Sequence, residues 1–191
     1  MKKFYLIHGF EAMPNGGWRP WLMRQLYKVK VFALALEMPN PWAPIMTDWV
    51  SKIKQEVGKI NEDKYLVGHS LGVPAILRYL ESVPEDKKFG GAFLVSGPFE
   101  KLDIENKSSR IRPIDNFFET SFNFEHIKKV CSNFYIIHGD NDPAVPFSHA
   151  EIFSKELNAP ITKILNGGHL GDHDGFPELP QLLDLILENI K

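Results

Sequence analysis

Short apolar runs alternate along this chain with stretches in which hydrophobic residues recur every three or four positions. Six runs read as strands: FYLI (4–7), VFALAL (31–36), YLV (65–67), AFLV (92–95), FYII (134–137) and TKIL (162–165). They are apolar nearly throughout, as strands covered on both faces are, and do not alternate as half-exposed strands would. Between them, Trp49, Ile53, Val57 and Ile60 predict an amphipathic helix capped at Thr47 and Asp48. Val73, Ile76, Leu77 and Leu80 predict a second, and Leu179, Leu182, Leu183 and Ile186 a third. Alternating strands and helices imply parallel strands joined by right-handed crossovers. No internal repeat or Ser/Gly linker interrupts the pattern, and a chain of 191 residues suits one domain over 1–191.

In an open parallel sheet, ligands bind at the carboxyl ends of the strands. Those ends read HGF (8–10), GHSLG (68–72), SGP (96–98), HGDNDPAVP (138–146) and NGGHLGDHDGF (166–176), where glycine and polar residues concentrate. GHSLG places Ser70 between Gly68 and Gly72, after a strand and before a helix. A serine hydroxyl is a useful nucleophile when a sharp strand-to-helix turn holds it near a base and beside backbone N–H groups. Such a turn crowds the residues two before and two after the serine, which suits glycine. By composition alone, G-x-S-x-G occurs in about one chain in twenty of this length, so its strand and helix flanks carry most of the weight.

A serine nucleophile needs a base, and the base a carboxylate, in the chain order Ser, Asp or Glu, His. After the fifth run stand Asp140 and Asp142; Pro143 biases the backbone of Asp142 and favours it as the orienting acid. After the last run stand His169 and His173, and closeness to the strand end favours His169. Two oxyanion donors are expected, the N–H of Leu71 and that of Phe10 beside Gly9. His8, His69 and His138 read as structural hydrogen-bonders, and His126 and His149 as surface residues of helices. Trp18 and Trp21 read as core or rim. The substrate-pocket candidates are Met38, Trp42, Phe10 and Phe99, all just after strand ends.

Charge and composition narrow the partners. A net charge of -2 without a Lys/Arg tract leaves no electrostatic footprint for nucleic acid or an anionic membrane, so a small-molecule substrate is expected. The apolar stretch near the N-terminus is too short for a signal peptide or a membrane span. Cys131 is the one cysteine, expected as a buried small hydrophobe. Together these imply a cytoplasmic setting. Zinc-like spacing is missing around His169, Asp172, His173 and Asp174, so neither metal nor cofactor is expected.

The segments IHGF, WRPWL, EMPNPWAP, YLVGHSLGVPAILRYLE, LVSGPF, DPAVPFS and GGHLGDHDGFPELP together resemble the α/β-hydrolase superfamily, and within it the small lidless serine hydrolases of the YdeN and retinoblastoma-binding protein nine type. The resemblance covers nearly the whole chain. It implies a three-layer α/β/α sandwich with about six parallel strands in the order 2-1-3-4-5-6 and no large lid in the stretch 99–132. It implies Ser70 as nucleophile, Asp142 as orienting acid and His169 as base, acting on a small ester, thioester or amide. The Leu-x-Cys-x-Glu pattern for pocket-protein binding is absent, Cys131 standing in KVCSN. The rival functions are a protein-binding module with an idle triad, and acyltransfer or lyase chemistry on the same triad.

Overall fold

Six parallel strands form one sheet in the order β2-β1-β3-β4-β5-β6. The computed structural model describes residues 1–102 and 113–190. The strands are β1 (Lys3–Ile7), β2 (Phe32–Leu36), β3 (Lys64–His69), β4 (Gly91–Val95), β5 (Phe134–Gly139) and β6 (Ile161–Ile164). The helices are α1 (Arg19–Lys28), α2 (Met46–Val57), α3 (Gly72–Glu81), α4 (Phe124–Val130), α5 (Ser148–Leu157) and α6 (Pro180–Asn189). All six strand runs fall within one or two residues of the observed strands. In the crossover after β4 a 3-10 helix at Pro113–Phe118 precedes the short α4. Part of the stretch in which a lid was excluded, residues 103–112, lies outside the described residues.

The pleat explains the layering. Successive side chains of a strand point to opposite faces, so Tyr5 and Ile7 join one core, with Trp49 and Ile53 of α2 and Ile76 and Leu80 of α3. Phe4 and Leu6 join the other, with Leu22 and Leu26 of α1 and Leu182 and Ile186 of α6. The result is a three-layer α/β/α sandwich. Burial on both faces holds for β1, β3, β4 and β5. It fails for the edge strands: Phe32 of β2 is 44% exposed, and Leu165 falls beyond β6 and is exposed. Edge strands have a neighbour on one side only, and the flanking helices cover them incompletely.

The α2 cap also departs from expectation. Ile45 is the N-cap, with no side-chain hydrogen bond, and Thr47 and Asp48 lie inside the first turn. The helix stops at Val57 because Gly58 turns to φ +60°, leaving Ile60 outside it. Cys131 is buried as expected, and burial pushes its thiol up to about 12. No helix among the described residues is long and apolar enough to cross a membrane.

The strands end in register. Ile7 pairs with Leu36 and Gly68, His69 with Val95, Val95 with Ile137 and Gly139 with Ile164, so six segments leave the sheet along one edge. The turn from β3 into α3 is the tightest point. A Cβ on Gly68 would lie 2.8 Å from the Gly72 carbonyl group and 2.9 Å from Ile76 Cδ1, and one on Gly72 would collide with the backbone oxygen of Ile7. Backbone packed against backbone cannot yield as a flexible side chain does. Gly72→Ala is therefore expected to lower stability by about 1–3 kcal/mol, read as a lower urea midpoint at unchanged m-value. An unchanged midpoint would mean that α3 can withdraw from β1 without cost.

Candidate active site

Ser70 sits at the apex of the β3–α3 turn with φ +53°, a left-handed conformation unfavourable to residues other than glycine. Its N–H donates to Val95 O at 2.9 Å, and its carbonyl accepts from Val73 N at 2.9 Å, which locks the turn. The loop after β1 crosses directly over it, since a Cβ on Gly9 would lie 2.8 Å from Ser70 Cβ. This crossing brings the backbone of Phe10 beside the turn. Neither the Phe10 nor the Leu71 N–H donates to an acceptor among the described residues; Phe10 lines the cavity at Ser70, whereas Leu71 is buried behind it.

Asp142 and His169 meet at 2.8 Å, His169 Nδ1–H donating to Asp142 Oδ2. The Asp142 carboxylate is fully buried and fully occupied. Oδ1 accepts from Ala144 N at 2.8 Å and Val145 N at 2.9 Å, and His138 Nε2 stands 3.4 Å from Oδ2. A carboxylate held this way fixes the ring orientation of His169 and, in the neutral ring, favours the tautomer with its proton on Nδ1. Ser70 and His169 line the same cavity of about 620 Å³, together with Gly9, Phe10 and Trp18. No hydrogen bond joins Ser70 Oγ to His169 in this structure; in ligand-free sites such contacts are commonly long and tighten on substrate binding.

The loop carrying His169 is tied on several sides. Asp140 Oδ1 accepts from Asn166 N at 2.8 Å and Asn141 Oδ1 from Gly168 N at 2.8 Å. His69 Nε2–H donates to His169 O at 2.9 Å, and Trp18 Nε1–H to Leu170 O at 3.0 Å. Asp140, the rival acid, thus serves the loop backbone. The side chain of His173, the rival base, lies outside the described residues. No three His, Cys, Asp or Glu side chains among the described residues converge as a metal site requires.

The other histidines divide. His8 Nδ1–H donates to Gly9 O at 2.8 Å, and Nε2 accepts from Met38 N at 3.3 Å. His138 Nε2–H donates to Val145 O at 2.9 Å. His8, His69 and His138 are therefore structural hydrogen-bonders, as expected. His149 departs from the surface position expected of it: it is buried on α5, and its Nδ1 accepts from Phe99 N at 2.9 Å. The pocket candidates scatter. Met38 and Trp42 line a neighbouring cleft of about 470 Å³, separate from the Ser70 cavity except at Met13, which borders both. Phe99 packs among Phe122, Phe124 and Phe153, and only Phe10 of the four lines the Ser70 cavity.

Backbone strain gathers at this edge. Of the eight non-glycine residues with positive φ among the described residues, six lie after strand carboxyl ends: Glu11, Asn40, Ser70, Ser96, Asn166 and Leu170. Lys30 and Asn158 are the others, at the opposite end of the sheet. Ser96 is fully buried, and its hydroxyl has no partner.

These features belong to a known class. The chain is a member of the serine hydrolase family, whose model matches residues 4–188, and it is a hydrolase with the α/β-hydrolase fold. It is 35% identical over 185 residues to YdeN of Bacillus subtilis (strain 168), a protein named as a hydrolase, covering 97% of this chain and 94% of that one. It is 26% identical over 181 residues to the serine hydrolase RBBP9 of Rattus norvegicus, covering 94% and 91%. The crystal structure of the B. subtilis ydeN gene product superposes with a TM-score of 0.91 at 33% identity, covering 99% of this chain and 98% of that one.

Burial favours the neutral form of the structural histidines, from which an acid-sensitive fold is expected. Desolvation lowers His8 to about 4, against the opposing hydrogen bond to Gly9. Desolvation also lowers His69 and His138. Between about pH 6.5 and 4 the unfolded chain binds a proton at residue 8 that the folded chain refuses. The stability from a neutral His8 is thus complete above about pH 6.5 and drains away as pH falls toward 4, by about 3 kcal/mol. Urea midpoints taken from pH 7 to 4 should fall, and more gently for His8→Gln. An equal slope in that variant would assign the loss to other groups.

Proposed function

We propose that the protein cleaves a small ester, thioester or amide by two-step acyl transfer to water, with Ser70 as nucleophile, His169 as general base and acid, and Asp142 as the carboxylate that orients His169. The observation that carries this reading is the 2.8 Å bond from His169 Nδ1 to the buried Asp142, with His169 and Ser70 in the wall of one cavity. His169 Nε2 takes the Ser70 proton as Oγ attacks the carbonyl carbon. The N–H groups of Phe10 and Leu71 bind the oxyanion, and their lack of acceptors among the described residues supports that role. Asp142 stabilises the imidazolium, which protonates the leaving group; His169 then activates the water that releases the acyl group from Ser70.

The neighbouring cleft at Met38 and Trp42 shares Met13 with the Ser70 cavity, and the small substrate proposed here needs only the latter. No cofactor is needed for this chemistry. The buried lone thiol of Cys131 fits a reducing, cytoplasmic setting.

Ser70→Ala is expected to abolish both turnover of p-nitrophenyl esters and covalent labelling by a fluorophosphonate. Asp142→Asn should retain labelling at a much reduced rate, with kcat down by about 10⁴. Stoichiometric labelling of Ser70→Ala at another serine would overturn the assignment.

A further inference from the structure

The wall of the Ser70 cavity holds a buried charge that hydrolysis does not use. Arg19, the first residue of α1, is 4% exposed and lines the cavity with Ser70 and His169. Its guanidinium makes one hydrogen bond, from Nη2 to Met13 O at 2.9 Å. Nε is buried without a partner, and no carboxylate among the described residues forms an ion pair with the group. A buried cation is costly unless a countercharge is supplied. Desolvation lowers Arg19 to about 10, which leaves it charged at neutral pH.

The backbone next to Arg19 also suits an anion. Helix α1 begins at this wall with no side-chain cap and no acidic residue in its first turn, so the positive end of its dipole is unopposed from within the helix. Gly17, at φ +57°, and Trp18 also line the cavity, and their N–H groups donate to no acceptor among the described residues. Glu11, Asp172 and Asp174 line the cavity as well, but all three are exposed and solvated. Asp172 comes nearest: a Cβ on Gly16 would stand 2.9 Å from Asp172 Oδ2 and 3.1 Å from Arg19 Nη2. Its charge supports the protonated guanidinium without pairing with it. It also repels a dianion more than a monoanion, so a carboxylate fits here better than a phosphate monoester.

We propose that Arg19 and the N–H groups of Gly17 and Trp18, just before α1, bind a free carboxylate on the substrate, so that the natural substrate is a carboxylate-bearing acyl compound. This rests on the Ser70 reading above and names the substrate class for that site.

The test compares kcat/KM for p-nitrophenyl half-esters of glutarate, adipate and suberate with neutral esters and trimethylammonium-bearing esters of matched length, each corrected for spontaneous hydrolysis. Wild type should favour at least one half-ester over its neutral counterpart by about tenfold or more. Arg19→Gln should erase that ratio, and Asp172→Asn, in the exposed 3-10 turn Asp172–Asp174, should raise it. Should Arg19→Gln not fold, free dicarboxylates competing with a neutral ester on wild type supply the same readout. Equal turnover of charged and neutral esters without such competition, or a preference for the ammonium series, would overturn the proposal. Fluorophosphonate labelling of Ser70 in the same samples separates the two readings: intact labelling without carboxylate preference defeats this inference alone, and absent labelling defeats the hydrolytic assignment.

Discussion

The N-terminus of α3 reaches the carboxyl end of β1 only because residue 72 has no side chain. Its Cα faces the carbonyl oxygens of Ile7 and His8, and any larger residue would drive helix and strand apart. That contact sets the depth of the β3–α3 turn, and the turn lifts Ser70 out of the sheet under the loop that carries Gly9 and Phe10. Proposed nucleophile and proposed oxyanion donors are therefore placed by the same backbone-on-backbone packing. A site assembled this way is accurate without long side chains to hold it, which is the preorganisation that charge stabilisation in a transition state requires.

The other half of the site is placed by side chains bonding to backbone. Asp140 and Asn141, at the end of β5, hold the N–H groups of Asn166 and Gly168, while His69 and Trp18 hold the carbonyls of His169 and Leu170. The last β-strand is short, with four residues, and it could not position a base by itself. Each imidazole beneath the site bonds to a loop carbonyl in one fixed tautomer, and burial keeps it uncharged. Protonating any of these rings would set a charge in a dry place, a penalty that an amide in the same position would not carry.

Much of this could be read from residues alone. Strand runs were legible because burial on two faces removes polar residues from the pattern, and the elbow because two glycines bracket a serine between strand and helix. Asp142 was favoured by chain order and by the proline that follows it, and His169 by chain order and closeness to the strand end; the structure does bring those two together. What stayed hidden depends on direction and distance. Nothing near His149 in the chain reveals that its ring faces Phe99 N, fifty residues away. Met38, Trp42 and Phe99 follow strand ends as Phe10 does, yet their side chains turn to other clefts and clusters. Thr47 has the chemistry of a cap, but Ile45 takes the position because the chain enters α2 two residues earlier.

The twisted backbone at the active edge also bears on engineering. Ser70, Ser96, Asn166 and Leu170 hold left-handed conformations where the reaction is proposed to occur, so relaxing them trades activity for robustness. Lys30 and Asn158 bear the same strain at the far end of the sheet, at φ +61° and +52°. A designer seeking a hardier catalyst has glycine to offer at those two corners, where geometry is relieved and chemistry is left alone.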